Sequence, residues 1–166
     1  MDTLIAHHIT KLSAQLGQAL KEKQFTLALA ESCTGGLASA AITDISGSST
    51  WFDRGFITYS NTAKHQMLGV SKETLSQYGA VSEETAQAMA MGALSNSGAD
   101  IAGSITGIAG PSGGSANKPV GMVCFAYLTK NGQLITVTKQ FAGDRQAIRY
   151  QSVIQLLNGL MDLMQS

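Results

Sequence analysis

A cluster of reactive side chains interrupts an apolar run in the stretch LALAESCTGGLASAAITDI, residues 27–45. The cluster consists of Glu31, Ser32, Cys33, Thr34, Gly35 and Gly36. Capping a helix needs only one such side chain, so a cap hydroxyl with glycines for tight packing explains only part of it. Ligands bind beyond strand ends in open α/β folds, and free amides at a helix start attract anions or a developing oxyanion. This cluster is therefore the first candidate site.

A second polar cluster follows in RGFITYSNTAKH, residues 54–65. It contains Tyr59, Ser60, Asn61, Lys64 and His65 at another predicted strand-to-helix corner. Ser60 or Asn61 is a good helix N-cap, and the lysine and histidine are typical of a solvated helix face. Taken alone, the segment favours that structural interpretation over a functional one.

Ser104 and Thr106 precede a glycine-rich loop, GIAGPSGGSANKPVG, residues 107–121. The loop lacks the Gly-Lys-Ser/Thr ending of a P-loop, which excludes a nucleoside triphosphate cradle of that type. The two hydroxyls alternate with apolar residues along a predicted strand. Ser104 is equally compatible with a hydrogen bond inside the core.

Two of the three arginines, Arg145 and Arg149, lie four residues apart at the start of the last predicted helix, behind Asp144. This spacing puts both guanidinium groups on one helix face. Guanidinium binds planar oxyanions such as phosphate bidentately, and a cation at a helix N-terminus opposes the dipole unless an anion is present. A surface salt bridge to Asp144 is the alternative.

Composition excludes several classes of function. Eleven basic residues balance eleven acidic ones, so no net charge attracts nucleic acid or a membrane, and neither is expected as a partner. Two cysteines are too few for a disulfide framework, and no signal-peptide core or 18-residue apolar run is present, which predicts a cytoplasmic protein. His7 and His8 are adjacent and no cysteine pair has zinc spacing, so we expect no metal and no cofactor.

The remaining patterns predict an α/β fold with helices on both faces of a mixed β-sheet, in one domain spanning residues 1–166. An amphipathic helix opens the chain and a long helix from Arg145 to Gln165 closes it. Asn131-Gly132 between two β-rich runs predicts a hairpin. The other predicted strands are FTLALAES, WFDRGFITYS and ADIAGSITG, and the other helices are TGGLASAAITDI, NTAKHQMLG, KETLSQYG and VSEETAQAMAMGALSNSG.

Five segments together resemble the CinA C-terminal domain family: AESCTGG, RGFITYSNTAKHQMLGV, GAVSEETAQAMA, SITGIAGPSGGSANKPVG and FAGDRQAIR. They stand in family order over nearly the whole chain, and the resemblance is greatest to stand-alone members that deamidate nicotinamide mononucleotide. It implies a three-layer α/β/α fold and a homodimer. The implied activity is hydrolysis of the nicotinamide carboxamide to nicotinate mononucleotide and ammonia, within pyridine nucleotide (NAD) recycling.

The resemblance also implies a role for each polar cluster. Ser32 matches the serine of the family's ESCTGG motif and is the implied nucleophile; Lys64 matches the lysine of its YSNxxK motif and is the implied base. Such a lysine needs a lowered pKa, from burial or from nearby positive charge such as Arg145. Tyr59 is the third implied catalytic residue, and with Asn61 it would orient or polarise the pair.

The other residues are implied to bind the substrate. Amides of Thr34, Gly35 and Gly36 would hold the carbonyl oxygen, and the two arginines would hold the phosphate, without the sequence distinguishing between them. The implied binding set is Glu31, Cys33, Thr34, Gly35, Gly36, Asn61, Ser104, Thr106, Gly107, Arg145 and Arg149.

Two alternatives remain open at this point. Cys33 is intrinsically the better nucleophile, with His65 as its partner, although neighbours on a sharp turn usually point apart. The chain is alternatively a catalytically silent paralogue that binds a nucleotide or a partner protein, because a fold can persist after its reaction is lost.

Overall fold

The structure is a computed structural model that describes residues 2–166. Its helices are α1 (Thr3–Lys23), α2 (Leu37–Thr43), α3 (Asn61–Leu68), α4 (Lys72–Tyr78), α5 (Glu83–Ser95) and α6 (Arg145–Gln165). Its strands are β1 (Leu27–Glu31), β2 (Phe52–Ile57), β3 (Ile101–Gly107), β4 (Met122–Thr129) and β5 (Leu134–Gln140). A 3₁₀ turn, Ser48–Thr50, precedes β2.

The five strands form one mixed sheet in the order β2-β1-β3-β4-β5. Strands β2, β1 and β3 are parallel, whereas β4 and β5 are antiparallel to their neighbours. The carboxyl ends of the three parallel strands therefore meet at one edge, which is where ligands bind in open α/β sheets. The predicted mixed sheet and the hairpin at Asn131-Gly132 are confirmed.

Helices cover both faces of this sheet in three layers. One apolar cluster joins the sheet to α1, α2 and α6, and a second cluster joins the opposite face to α3, α4 and α5. The central strand β1 is buried along its whole length because it has neighbours in the sheet and a helical layer on each face. The predicted α/β/α class is thus confirmed.

Local capping explains where the helices near the parallel strand ends begin. Ser60 accepts a hydrogen bond from the Ala63 amide and starts α3, as predicted for an N-cap. α2 begins three residues later than the prediction, because Gly35 and Gly36 adopt positive φ angles of 59° and 101° that a helix does not permit. These glycines separate Ser32 from the helix by a short turn.

Candidate active site

Residues after β1, β2 and β3 surround a cavity of about 270 Å³ at the shared carboxyl edge. The glycine-rich loop and Arg145, the first residue of α6, complete its lining. Of the residues predicted from the sequence, the cavity is lined by Ser32, Cys33, Tyr59, Asn61, Lys64, Thr106, Gly107 and Arg145. The fold therefore brings together residues from four separate segments of the chain.

The Ser32 hydroxyl and the Lys64 amine meet in this cavity. The Lys64 Nζ lies 2.9 Å from the Ser32 Oγ and donates to the Thr58 carbonyl at 2.9 Å. Parallel pairing fixes Thr58, whose amide donates to the Glu31 carbonyl at the end of β1. The sheet thus sets both the position of the hydroxyl and one hydrogen bond of the amine.

Lys64 is an unusual lysine because its side chain is only 1% exposed. Within residues 2–166 no carboxylate forms an ion pair with it. Burial disfavours the ammonium form and lowers the pKa of Lys64 below its ordinary value. A lysine in this state gives up its proton more easily, as a general base must.

Cys33 differs from Ser32 in the surroundings of its side chain. Its side chain packs in the apolar cluster between the sheet and α6, and burial raises the pKa of its thiol to about 11. The thiol is therefore protonated near neutral pH. His65 directs Nδ1 to the Val70 carbonyl at 2.8 Å rather than to this thiol, so the alternative pair is not assembled.

Glu31 lies beneath the cavity and not in it. Its side chain is fully buried, and one oxygen accepts from the Thr34 hydroxyl and the Ala38 amide at 2.7 and 3.0 Å. The other oxygen accepts from the amide and hydroxyl of Ser39 at 2.9 and 2.7 Å. The first free amides of α2 are thus occupied by this carboxylate and are not available to a substrate.

The other predicted loop residues are likewise placed away from the cavity lining. Thr34 is buried against Glu31, and the Gly35 amide closes a turn onto the Ser32 carbonyl at 3.0 Å. Among the described residues, the amides of Thr34 and Gly36 have no acceptor. Of the three amides predicted to hold a carbonyl oxygen, these two remain free to donate.

The two arginines of α6 occupy different positions. Arg145 lines the cavity and donates from Nη1 to the Gly110 carbonyl at 2.7 Å and from Nη2 to the Tyr59 hydroxyl at 2.9 Å. Arg149 instead donates to the Cys33 and Thr34 carbonyls and does not line the cavity. Asp144 caps α6 through the Ala147 amide, and the ion pairs of residues 2–166 do not include the alternative salt bridge between an arginine and Asp144.

The hydroxyls of β3 donate to backbone carbonyls of α5 and of the segment before it. Ser104 is fully buried and donates to the Ala86 carbonyl at 2.6 Å, which is the core role left open by the sequence. Thr106 donates to the Ala80 carbonyl at 2.6 Å and so holds the segment before α5 against the end of β3. Thr106 therefore lines the cavity and also holds Ala80, another lining residue, in place.

Sequence reasoning missed several residues of the cavity. Ala80, Val81, Ser112 and Gly113 line it, and the Thr58 carbonyl binds the lysine. The glycine-rich loop was a usable signal for Ser112 and Gly113. The other three act through backbone or through apolar contact, for which a side-chain motif gives no signal.

Two features are absent from the described part of the chain. Residues 2–166 contain no group of three or more His, Cys, Asp or Glu side chains arranged to hold a metal ion. None of the helices in the same range has both the length and the apolarity that crossing a bilayer requires.

Fold and site define an α/β/α protein whose serine–lysine pair lies at the ends of its parallel strands. The family model described as the CinA C-terminal domain matches residues 9–164, and the chain belongs to this family. A protein of Enterobacter agglomerans named nicotinamide-nucleotide amidohydrolase PncC is 58% identical over 144 residues, which are 87% of this chain and 88% of that protein. The Escherichia coli K12 protein of the same name is 56% identical over 152 residues, 92% of each chain.

Solved structures agree with this assignment. The competence/damage inducible protein CihA from Agrobacterium tumefaciens superposes with a TM-score of 0.92 at 45% identity, covering 94% of this chain and 95% of that one. A CinA superfamily protein from Klebsiella pneumoniae gives a TM-score of 0.91 at 38% identity, covering 95% and 98%. The implied family membership and fold are confirmed.

The Glu31 network predicts a large loss of stability on truncation. Glu31→Ala leaves two hydroxyls and two amides without their buried acceptor, and we expect a decrease of about 3 kcal/mol in the free energy of unfolding. Urea denaturation measures it. The matched control is Glu22→Ala, at an exposed position of α1, with a change below about 0.5 kcal/mol. A loss under about 1 kcal/mol for Glu31→Ala contradicts the anchoring role.

Proposed function

We propose that this chain hydrolyses the carboxamide of nicotinamide mononucleotide, giving nicotinate mononucleotide and ammonia, with Ser32 as nucleophile and Lys64 as general base. One observation carries the proposal: a buried amine that forms no ion pair with a carboxylate of residues 2–166 lies 2.9 Å from a hydroxyl at the ends of parallel strands. Burying an unpaired amine costs stability. A role for the Lys64 amine as the base beside the nucleophile Ser32 explains why the fold keeps this destabilising feature.

The first half of the reaction forms an acyl-enzyme. The neutral Lys64 amine takes the proton of the Ser32 hydroxyl as Oγ attacks the carboxamide carbon. Negative charge develops on the carbonyl oxygen, for which the proposed donor is the unoccupied amide of Thr34, whose nitrogen is bonded to the cavity-lining residue Cys33. The intermediate collapses by breaking the carbon–nitrogen bond, and a proton passes to the nitrogen so that ammonia departs.

Tyr59 is the proposed relay for that proton. Its hydroxyl oxygen accepts from Arg145 Nη2, so its own hydrogen is free to donate into the cavity, and the Lys64 ammonium can restore it. In the second half, Lys64 accepts a proton from a water molecule that attacks the ester. The carbon–oxygen bond to Ser32 breaks as the Lys64 ammonium returns this proton to Oγ, and the product leaves as the carboxylic acid, which ionises in water.

Arg145 is the proposed phosphate ligand. It is the arginine that lines the cavity, and its present partners are a carbonyl and a phenol, neither of which carries a full negative charge. A phosphate is a stronger partner for guanidinium than either. Asn61 and Thr106 line the same cavity and are proposed to contact the remainder of the substrate.

The relatives support the same substrate. Three proteins named nicotinamide-nucleotide amidohydrolase PncC are 46–58% identical to this chain. They come from Enterobacter agglomerans, Escherichia coli and Pseudomonas putida. Homodimer formation, location in the cytoplasm and a single domain over residues 1–166 stay predictions. Sedimentation of the purified chain tests the first of these.

Release of ammonia from nicotinamide mononucleotide by purified protein, without added metal, is the primary test. Ser32→Ala removes the nucleophile and is expected to lower kcat by at least about 10⁴-fold, whereas Cys33→Ala stays within about threefold of wild type. If kcat instead falls in Cys33→Ala and is retained in Ser32→Ala, the nucleophile is Cys33. Binding of the mononucleotide without any ammonia release from wild type supports the silent binding module instead.

The pH dependence of kcat tests the base. Only neutral Lys64 accepts a proton, so activity is lost as pH falls through its pKa, and this loss should lie below the value of about 10.4 for an ordinary lysine. Lys64→Arg stays protonated throughout the accessible range and should be inactive at every pH. A profile without this limb, or an active Lys64→Arg variant, contradicts the assignment.

Comparing the mononucleotide with its riboside tests the phosphate ligand. Arg145→Met should lower kcat/KM for the mononucleotide about 10- to 100-fold more than for the riboside, which has no phosphate. The adjacent exposed residue provides the control, since Gln146→Met should change neither value appreciably. Equal losses on the two substrates refute a phosphate contact by Arg145.

A further inference from the structure

Arg149 contacts the backbone of the loop that carries Ser32. Its Nε donates to the Cys33 carbonyl at 3.2 Å and its Nη2 donates to the Thr34 carbonyl at 2.9 Å. The residue is half-buried on α6, and it spans more than a hundred positions of sequence to reach these two consecutive peptides. Both carbonyls come directly after the proposed nucleophile.

These contacts fix the orientation of two peptide planes. In a planar trans peptide the carbonyl and the following N–H point in opposite directions. Because the Cys33 carbonyl faces Arg149, the Thr34 amide points away from α6. The same reasoning applies to the Thr34 carbonyl and the Gly35 amide, which closes the turn onto Ser32. Arg149 therefore decides where the free Thr34 amide is directed.

The negatively charged Glu31 carboxylate holds the same loop from another direction than Arg149 does. The Glu31 carboxylate binds the Thr34 hydroxyl and the first amides of α2. No ion pair joins Glu31 to Arg149 in the described structure, so each charge acts on the backbone between them. A guanidinium on a carbonyl also polarises that peptide and strengthens its N–H as a donor.

From this placement we infer that Arg149 is a positioning residue for the amide hydrolysis: it holds and polarises the Cys33–Thr34 peptide beside Ser32 and does not bind the substrate. The inference rests on the proposed function and separates the two arginines of α6. Arg145 meets the substrate, whereas Arg149 acts through the backbone. The two arginines, whose spacing on α6 would suit binding of one phosphate, therefore have different roles.

The test separates kcat from KM. Arg149→Met removes both hydrogen bonds, and we expect kcat to decrease about 10- to 100-fold with KM for the mononucleotide within about twofold. The decrease should be the same for the riboside. Arg149→Lys keeps one charged donor and should recover part of kcat. A raised KM for the mononucleotide alone, with kcat retained, overturns the inference and makes Arg149 a phosphate ligand.

A control excludes a loss caused by instability alone. Leu163→Ala removes a buried side chain at the other end of the same helix and should lower stability by about 2–5 kcal/mol without changing kcat measured well below its unfolding temperature. If Leu163→Ala lowers kcat as much as Arg149→Met does, the effect is general loosening of α6 and the inference fails.

A substrate-independent readout keeps the inference separate from the proposed function. A small fluorophosphonate, which carries no nucleotide, phosphonylates an activated serine. The bond between Ser32 Oγ and phosphorus forms as the phosphorus–fluorine bond breaks, Lys64 takes the hydroxyl proton, and fluoride leaves. Arg149→Met should label Ser32 at least about tenfold more slowly than wild type, while the exposed control Gln146→Met labels at nearly the wild-type rate. This result supports the positioning role even if wild type releases no ammonia from the mononucleotide. Equal labelling of Arg149→Met and wild type overturns it.

Discussion

The hydrogen bond between the Lys64 amine and the Ser32 hydroxyl is the interaction on which the rest of the site depends. It joins two residues separated by 32 positions, and it exists only because β1 and β2 are adjacent and parallel. Burial that removes water from the amine also lowers its pKa. One structural constraint therefore supplies both the geometry and the chemistry of the pair.

The turn after β1 holds Ser32 through its backbone and not through its hydroxyl. Glu31 occupies the amides at the start of α2, and Arg149 occupies the carbonyls on the other side. These bonds leave the hydroxyl of Ser32 available for Lys64. The polar residues of this turn therefore have different roles. Glu31 and Thr34 bind each other, whereas Ser32 faces the cavity.

Much of the architecture was predictable from local patterns. The hairpin follows from Asn131-Gly132, and the start of α3 follows from Ser60, because turn and cap preferences depend on a few neighbouring residues. The late start of α2 was not predicted, since the run of small residues interpreted as a helix, TGGLASAAITDI, includes Gly35 and Gly36, which adopt positive φ. The Ser32–Lys64 pairing came from the family resemblance, whereas the pattern around Lys64 alone favoured a solvated helix.

The sequence by itself determined the element order, the family and the residues with reactive groups, because these are carried by types and spacings along the chain. Only the tertiary structure decided which reactive groups meet. Glu31 and Ser104 turn into the core, Arg145 faces the cavity, and Arg149 faces a backbone loop. The physical reason is that side-chain direction and burial depend on neighbours distant in sequence, which a motif does not contain.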